Sequence, residues 1–231
     1  MRAIMVYVEG GGNVVSERAE LRQGFDALFK SQKVAAAAKG IRLVFVCCGS
    51  RGNAYKTFFN EHTQSDHNTV CVLLVDSEDE IDQEGEVAGQ VAGLFNEAIK
   101  GLRQLENAIM RKNHLIQREP WDLQGIPPER IHLMVRCMES WIVADPEILT
   151  KYYGKDFHTN KLPVTRNLEN VPKADLYANL KKATKETSKG EYAKIRHASR
   201  LLAQISSQKV KDRCPRFATF VNWIDEQICS T

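Results

Sequence analysis

Short unbroken apolar runs alternate along this chain with longer stretches in which apolar residues recur every three or four positions. The runs are Ala3-Ile4-Met5-Val6-Tyr7-Val8, Ile41 to Val46, Val70-Cys71-Val72-Leu73-Leu74-Val75 and Ile131-His132-Leu133-Met134-Val135. They are short, rich in β-branched residues and largely without polar alternation, the pattern of strands buried on both faces. Between the first two, Glu17 to Lys39 predicts one helix, with Ser16 as N-cap and Leu21, Phe25, Leu28 and Phe29 as its apolar stripe. Gly40 ends it. A helix with Phe58 and Phe59 inward follows the second run. A long helix is predicted from about Gly85 to Lys112, with Val87, Val91, Leu94, Phe95, Ala98, Leu102, Leu105 and Ile109 at a 3.6-residue period. Asn113 to Glu129, with Pro120, Gly125, Pro127 and Pro128, predicts a loop. Cys137 to Ala144 starts a helix, and Asp145-Pro146 reads as an N-cap with proline at the first position of the next one.

The connections between runs are too long for hairpins, so the sheet is expected to be mainly parallel. The fold class is α/β, Rossmann-like, with helices flanking the sheet over residues 1–145. Residues 146–231 form a helical extension packed on that core, its last helix docking through Phe217, Phe220, Val221, Ile224 and Ile228.

Composition is that of an ordinary globular chain, with 43% hydrophobic and 26% charged residues in 231. The net charge of +3 says little, but its distribution says more. Residues 151–216 hold 16 Lys or Arg against 6 Asp or Glu, a basic extension suited to a phosphate-rich partner. The six cysteines form no CxxC pair, which speaks against a structural zinc site and fits a reducing, cytoplasmic setting. The apolar run after Arg2 ends at Glu9, far short of a secretory or membrane segment, so no membrane association is expected.

Carboxylates gather where strands end. Glu9 follows the first run and leads into Gly10-Gly11-Gly12. Asp76 follows the third, and seven of the eleven residues from Asp76 to Glu86 are acidic. In a parallel sheet both strand ends lie on one edge, where open α/β sheets bind ligands. If the strands are close, Glu9, Asp76 and Glu78 converge on one site. Mg²⁺ takes a few carboxylates plus water and phosphate oxygens, and it stabilises the charge that develops in phosphodiester hydrolysis. Glu9 is a candidate metal ligand or acid/base group. The competing reading is a solvated acidic loop.

The pair Val8-Glu9-Gly10 and Leu74-Val75-Asp76-Ser77-Glu78 resembles the Toprim domain of topoisomerases, primases and nucleases of the overcoming-lysogenization-defect type. Those domains carry a glutamate after the first strand and Asp-x-Asp after the third. Here Glu78 stands at the second aspartate, which leaves Asp79 as an alternative ligand. Cys48-Gly49-Ser50-Arg51-Gly52, His132 to Trp141, Ala144-Asp145-Pro146 and Pro172-Lys173 resemble a bacterial Toprim-like family of unknown function, often encoded beside ABC-type ATPases in phage-defence loci. The resemblance implies Mg²⁺- or Mn²⁺-dependent cleavage of DNA or RNA as the effector of such a system. Glu9, Asp76 and Glu78 would be catalytic and metal-binding, with Glu139 a further acidic ligand, for one metal or for two.

Arg51 and Lys56 follow the second strand on the same edge and are candidates for the substrate phosphate. Their alternative is an ordinary turn with surface cations. Tyr192-x-Lys194-x-x-His197 places Lys194 and His197 on one helix face, as phosphate contacts or as a solvated surface. Trp141 reads as core rather than as a stacking platform for bases. No Walker-type loop or sequence-reading nucleic-acid motif is present. The functional alternative is a non-catalytic regulatory or binding subunit of an ABC-type ATPase complex. A nucleotide-binding role for Glu9-Gly10-Gly11-Gly12 lacks the GxGxxG spacing.

Overall fold

The computed structural model describes residues 2–79 and 95–230. Its centre is a four-stranded, all-parallel sheet of β1 (Ala3–Val8), β2 (Arg42–Cys47), β3 (Thr69–Asp76) and β4 (Ile131–Met134), in the order β2-β1-β3-β4. The chain therefore steps to one side of β1 for β2 and to the other for β3. That reversal makes the carboxyl ends of β1 and β3 the switch point where α/β sheets form ligand crevices. The runs seen in the sequence match these strands to within a residue.

β1, β3 and β4 bury both faces, while on the edge strand β2 only Leu43 and Phe45 are buried. Ile4, Val6 and Val8 of β1 point with Val70, Val72 and Leu74 of β3 into one cluster. Tyr7, Cys71, Leu73 and Val75 point into the other. This follows from the two-residue period of a strand. The second face is covered by α3 (Arg51–Gln64), through Ala54 and Phe58, and by α4 (Phe95–Arg118), through Leu115.

The first face is covered by α1 (Val15–Leu28), α2 (Lys30–Ala38) and the C-terminal helices: α5 (Glu139–Ile142), α6 (Pro146–Tyr153), α7 (Lys173–Thr184), α8 (Lys194–Leu202), α9 (Ser207–Arg213) and α10 (Pro215–Cys229). Residues after 145 thus share one continuous apolar cluster with the sheet. Phe217, Phe220, Val221, Ile224 and Ile228 of α10 are all buried, as their spacing predicts. So is Trp141, which meets Phe25 and Phe217 edge-on. Asp145 caps α6 by accepting from the Ile148 N–H, with Pro146 at the first position.

Two helical expectations need correction. The single helix over 17–39 is two helices that bend at Phe29. Phe29 sits at the break, with its ring among Phe45, Phe217 and Phe220. Beyond the bend, Ala36 packs into the core and Gln32 donates to Asp225 of α10 at 3.2 Å. Ser16 lies inside α1 and does not cap it; the flanking residue is Val14, whose side chain makes no cap bond.

In α4 the predicted start and Val87, Val91 and Leu94 lie outside the described residues, and the helix runs on to Arg118 where a loop was expected. Leu102, Leu105 and Ile109, read as its buried stripe, are exposed. The helix meets the sheet through Ala108, Arg111 and Leu115 instead. Arg111 Nε donates to the Ile131 carbonyl at 2.8 Å and Lys112 Nζ to the Ile126 carbonyl at 2.8 Å. Polar anchors, invisible to an apolar periodicity, set the rotation of this helix. No described helix is long and apolar enough to cross a membrane.

Truncating Phe29 to Ala empties a fully buried aromatic site and should cost about 3–5 kcal/mol in urea unfolding. Ile109→Ala, on the exposed row, should cost less than about 1 kcal/mol. Equal losses would contradict the assigned rotation of α4.

Candidate carboxylate centre

β1 and β3 are neighbours in register, with Val8 opposite Leu74. Beyond the last pair, the Glu9 N–H donates to the Leu74 carbonyl at 3.1 Å, and the Asp76 N–H donates to Glu9 Oε2 at 3.2 Å. Glu9 is thus held against the tip of β3 by its own backbone and by its side chain. Glu78 joins from two residues further on. One carboxylate oxygen from each of Glu9, Asp76 and Glu78 lies within 4.8 Å of the others. The convergence expected from the sequence is present. It depends on the 2-1-3-4 strand order, which the sequence did not dictate.

The turn after β3 has a special backbone. Glu78 and Arg136 both adopt positive φ (68° and 59°), which non-glycine residues seldom do. They face one another across an extension of the β3–β4 ladder. The Ser77 N–H donates to the Met134 carbonyl, the Glu78 N–H to the Arg136 carbonyl, and the Arg136 N–H to Ser77 Oγ at 2.7 Å. These bonds hold Glu78 in a conformation that turns its carboxylate toward Asp76, the kind of local strain found at functional sites. Asp79, the alternative ligand, pairs instead with Arg118. Glu80, Asp82, Glu84 and Glu86 lie outside the described residues.

Burial and charge shape the ionisation. Asp76 is almost fully buried, and desolvation pushes its carboxyl up despite the nearby Lys194. Its Oδ1 accepts from the Met138 N–H at 3.1 Å. Glu9 is pushed up to about 7, first by burial and then by the Asp76 charge; Arg51 and Lys194 act in the opposite direction. A group near neutrality that touches a second carboxylate suits proton transfer.

Two lysines from the helical extension enter the cluster. Lys173, the first residue of α7, lies with Nζ 2.6 Å from Glu78 Oε2 and 3.9 Å from Asp76 Oδ2. Lys194, the first residue of α8, lies 3.4 Å from Asp76 Oδ2 and 3.9 Å from Glu139 Oε2. Burial alone would lower Lys194, but Asp76 and Glu139 hold it well above its ordinary value. A glycine lets α8 come this close. A Cβ on Gly24 of α1 would stand 2.7 Å from the Ser199 carbonyl.

Glu139 stands slightly apart from the trio and reaches it through Lys194. It is fully buried; Tyr192 donates to its Oε1 at 2.8 Å, while its Oε2 has no hydrogen-bond partner. The Glu139 charge adds to burial in pushing up the phenols of Tyr177 and Tyr192. The clustered oxygens of Glu9, Asp76 and Glu78 could hold a hard cation, and Glu139 is not among them.

The other candidates fall differently. Arg51 is engaged: it donates to the Asp76 carbonyl and to Glu9 at 3.4 Å, pairs with Glu119 at 2.6 Å, and lies over Trp121. These contacts place it against Glu9, while its buried Nη2 makes no hydrogen bond. Lys56 is exposed farther along α3 and bonds to none of the described carboxylates. His197 is corrected to a packing residue. It is buried among Tyr152, Tyr153 and Tyr192, and its Nδ1 accepts from the Ala193 N–H at the start of α8. Helical spacing put it near Lys194, but Lys194 occupies the first turn and points away to the sheet. Lys173 and Glu119 carried no signal of their own in the sequence. Pro172-Lys173 was visible only as part of the family resemblance, since 95 residues separate Lys173 from Glu78.

The fold and this site define an α/β protein with a lysine-countered carboxylate cluster at the switch point of a parallel sheet. The chain belongs to the family described as domain of unknown function DUF4276, whose model matches residues 8–225. No curated protein and no solved structure matches the chain.

The raised Glu9 value has a stability consequence. A carboxyl that holds its proton more tightly when folded contributes stability that is complete below its ordinary 4.5 and is lost as pH rises through about 7. Glu169, buried and also raised to about 7, acts in the same direction. Urea unfolding of Glu9→Gln between pH 5 and 8 should therefore show a shallower fall than wild type, with a residual slope from Glu169 and from Asp76, whose carboxyl is also raised by burial. An unchanged slope would show that Glu9 is ionised throughout.

Proposed function

We propose that this protein is a metal-dependent nuclease that hydrolyses phosphodiester bonds of DNA or RNA. The observation that carries the reading is the convergence of Glu9, Asp76 and Glu78 within 4.8 Å at the switch point, under a basic helical layer. The donors are all hard oxygens, so the cation they suit is Mg²⁺ or Mn²⁺ rather than zinc. When bound, such an ion supplies charge stabilisation on the phosphoryl oxygens and lowers the pKa of a water nucleophile.

The chain's own groups supply the rest. Asp76 and Glu78 are the fixed ligands, one locked by the Met138 N–H and the other by its left-handed turn. Glu9, held by Arg51 and the Asp76 N–H, takes the proton of the attacking water as oxygen adds to phosphorus and the bond to the leaving oxygen breaks. Lys194 sits where a cation can face the developing negative charge. The lysine-rich extension attracts the polymer by neutralising backbone phosphates, a salt-sensitive attraction without sequence preference. The resemblance to Toprim nucleases supports the same chemistry, and its phage-defence setting suggests an effector that cuts nucleic acid on infection.

The second reading is a non-catalytic subunit of an ABC-type ATPase complex. It is favoured by the exposed apolar residues Leu102, Leu105, Ile109 and Ile116 along α4. The two readings separate on cleavage of labelled DNA and RNA with Mg²⁺ or Mn²⁺. Nuclease action predicts cleavage that falls at least about a hundredfold in Glu9→Ala and Asp76→Ala protein with circular dichroism unchanged. Activity retained in both variants would remove the carboxylates from the chemistry. No cleavage with metals and the ATPase supplied would favour the subunit reading.

A further inference from the structure

The Lys173 ammonium lies between two of the three carboxylates that would grip a metal. It is 2.6 Å from Glu78 and 3.9 Å from Asp76, while Lys194 is 3.4 Å from Asp76 and 3.9 Å from Glu139. An ammonium at hydrogen-bond distance from Glu78 and a dication liganded by the same carboxylate repel each other and compete for the same oxygens. The metal position is therefore guarded by a tethered cation.

Lys173 begins α7 immediately after Pro172 on a flexible four-carbon stem, its side chain is 30% exposed, and its ammonium makes no other hydrogen bond or ion pair among the described residues. The second observation pointing to a ligand is Glu139 Oε2, which is fully buried, makes no hydrogen bond and stands 3.9 Å from the Lys194 ammonium. That oxygen is countered by charge but not hydrogen-bonded.

We propose that Lys173, backed by Lys194, is an internal counter-ion that is exchanged for divalent metal when a phosphodiester backbone binds. The phosphate draws the ammonium off Glu78, and the freed carboxylates take the metal. The proposal rests on the metal-site reading above and adds to it that metal and polyanion bind cooperatively. By linkage each raises the affinity of the other by the same factor. The device would keep the site weakly loaded while no nucleic acid is present.

The test measures Mn²⁺ affinity of the full-length protein by electron paramagnetic resonance, with and without a hydrolysis-resistant phosphorothioate oligothymidylate. Wild type should bind Mn²⁺ on the order of tenfold more tightly when the oligonucleotide is present. Lys173→Met should bind Mn²⁺ on the order of tenfold more tightly than wild type with no oligonucleotide, and lose most of the coupling. Lys173→Arg should retain it. Circular dichroism melting confirms that the variants fold. Equal Mn²⁺ affinity of wild type and Lys173→Met, with both binding, would overturn the counter-ion proposal and leave the metal site standing. Mn²⁺ binding by neither protein would overturn both.

Discussion

The Asp76 N–H donating to the Glu9 carboxylate, at the paired ends of β1 and β3, is the contact on which the candidate site depends. It exists because β3 crosses to the far side of β1 from β2. With β2 in that position instead, Glu9 would face Cys48 and Gly49, and no acidic partner would meet it. Burial then raises the cost of concentrating charge there. Asp76 is enclosed and Glu9 partly so; burial and the Asp76 charge push Glu9 up, and nearby ammonium and guanidinium groups act against that rise.

Those compensating charges come from distant parts of the chain. Arg51 opens the helix after β2 and is itself held by Glu119 and Trp121. Lys173 and Lys194 begin two helices of the C-terminal region. The extension is therefore part of the site as well as a cover for the sheet. Gly24, by letting α1 and α8 approach closely, links packing on the sheet face to the placement of Lys194 at its edge. Glu139, at the start of a short helix after β4, is tied to Tyr192 and through Lys194 to Asp76. Sheet, extension and charge cluster form one unit.

Much of the sheet was legible in the sequence because parallel strands buried on both faces must be continuously apolar, and their ends show as abrupt changes to charge. Asp76 after Val70 to Val75 and Glu9 after Ala3 to Val8 were visible for that reason. The buried face of α10 was legible because it packs mainly on apolar side chains of the core. The rotation of α4 was not, since Arg111 and Lys112 anchor it through backbone carbonyls. The bend at Phe29 was not, since it answers to the aromatic cluster from β2 and α10. Within the site, the carboxylates were legible and their partners were not. The contacts of Arg51 with Glu9 and Glu119, and the packing of His197 among tyrosines, had no local pattern. Long-range ion pairs such as Lys173–Glu78 leave no local pattern.

Under the proposed function, carboxylates from two neighbouring strand ends act together on a divalent cation. Anomalous diffraction from crystals soaked in saturating manganese tests this directly. The predicted result is a manganese peak bonded to Asp76 and Glu78 beside the Glu9 carboxylate, with Lys173 Nζ withdrawn from Glu78. No peak at that position, with Lys173 still paired to Glu78, would contradict it.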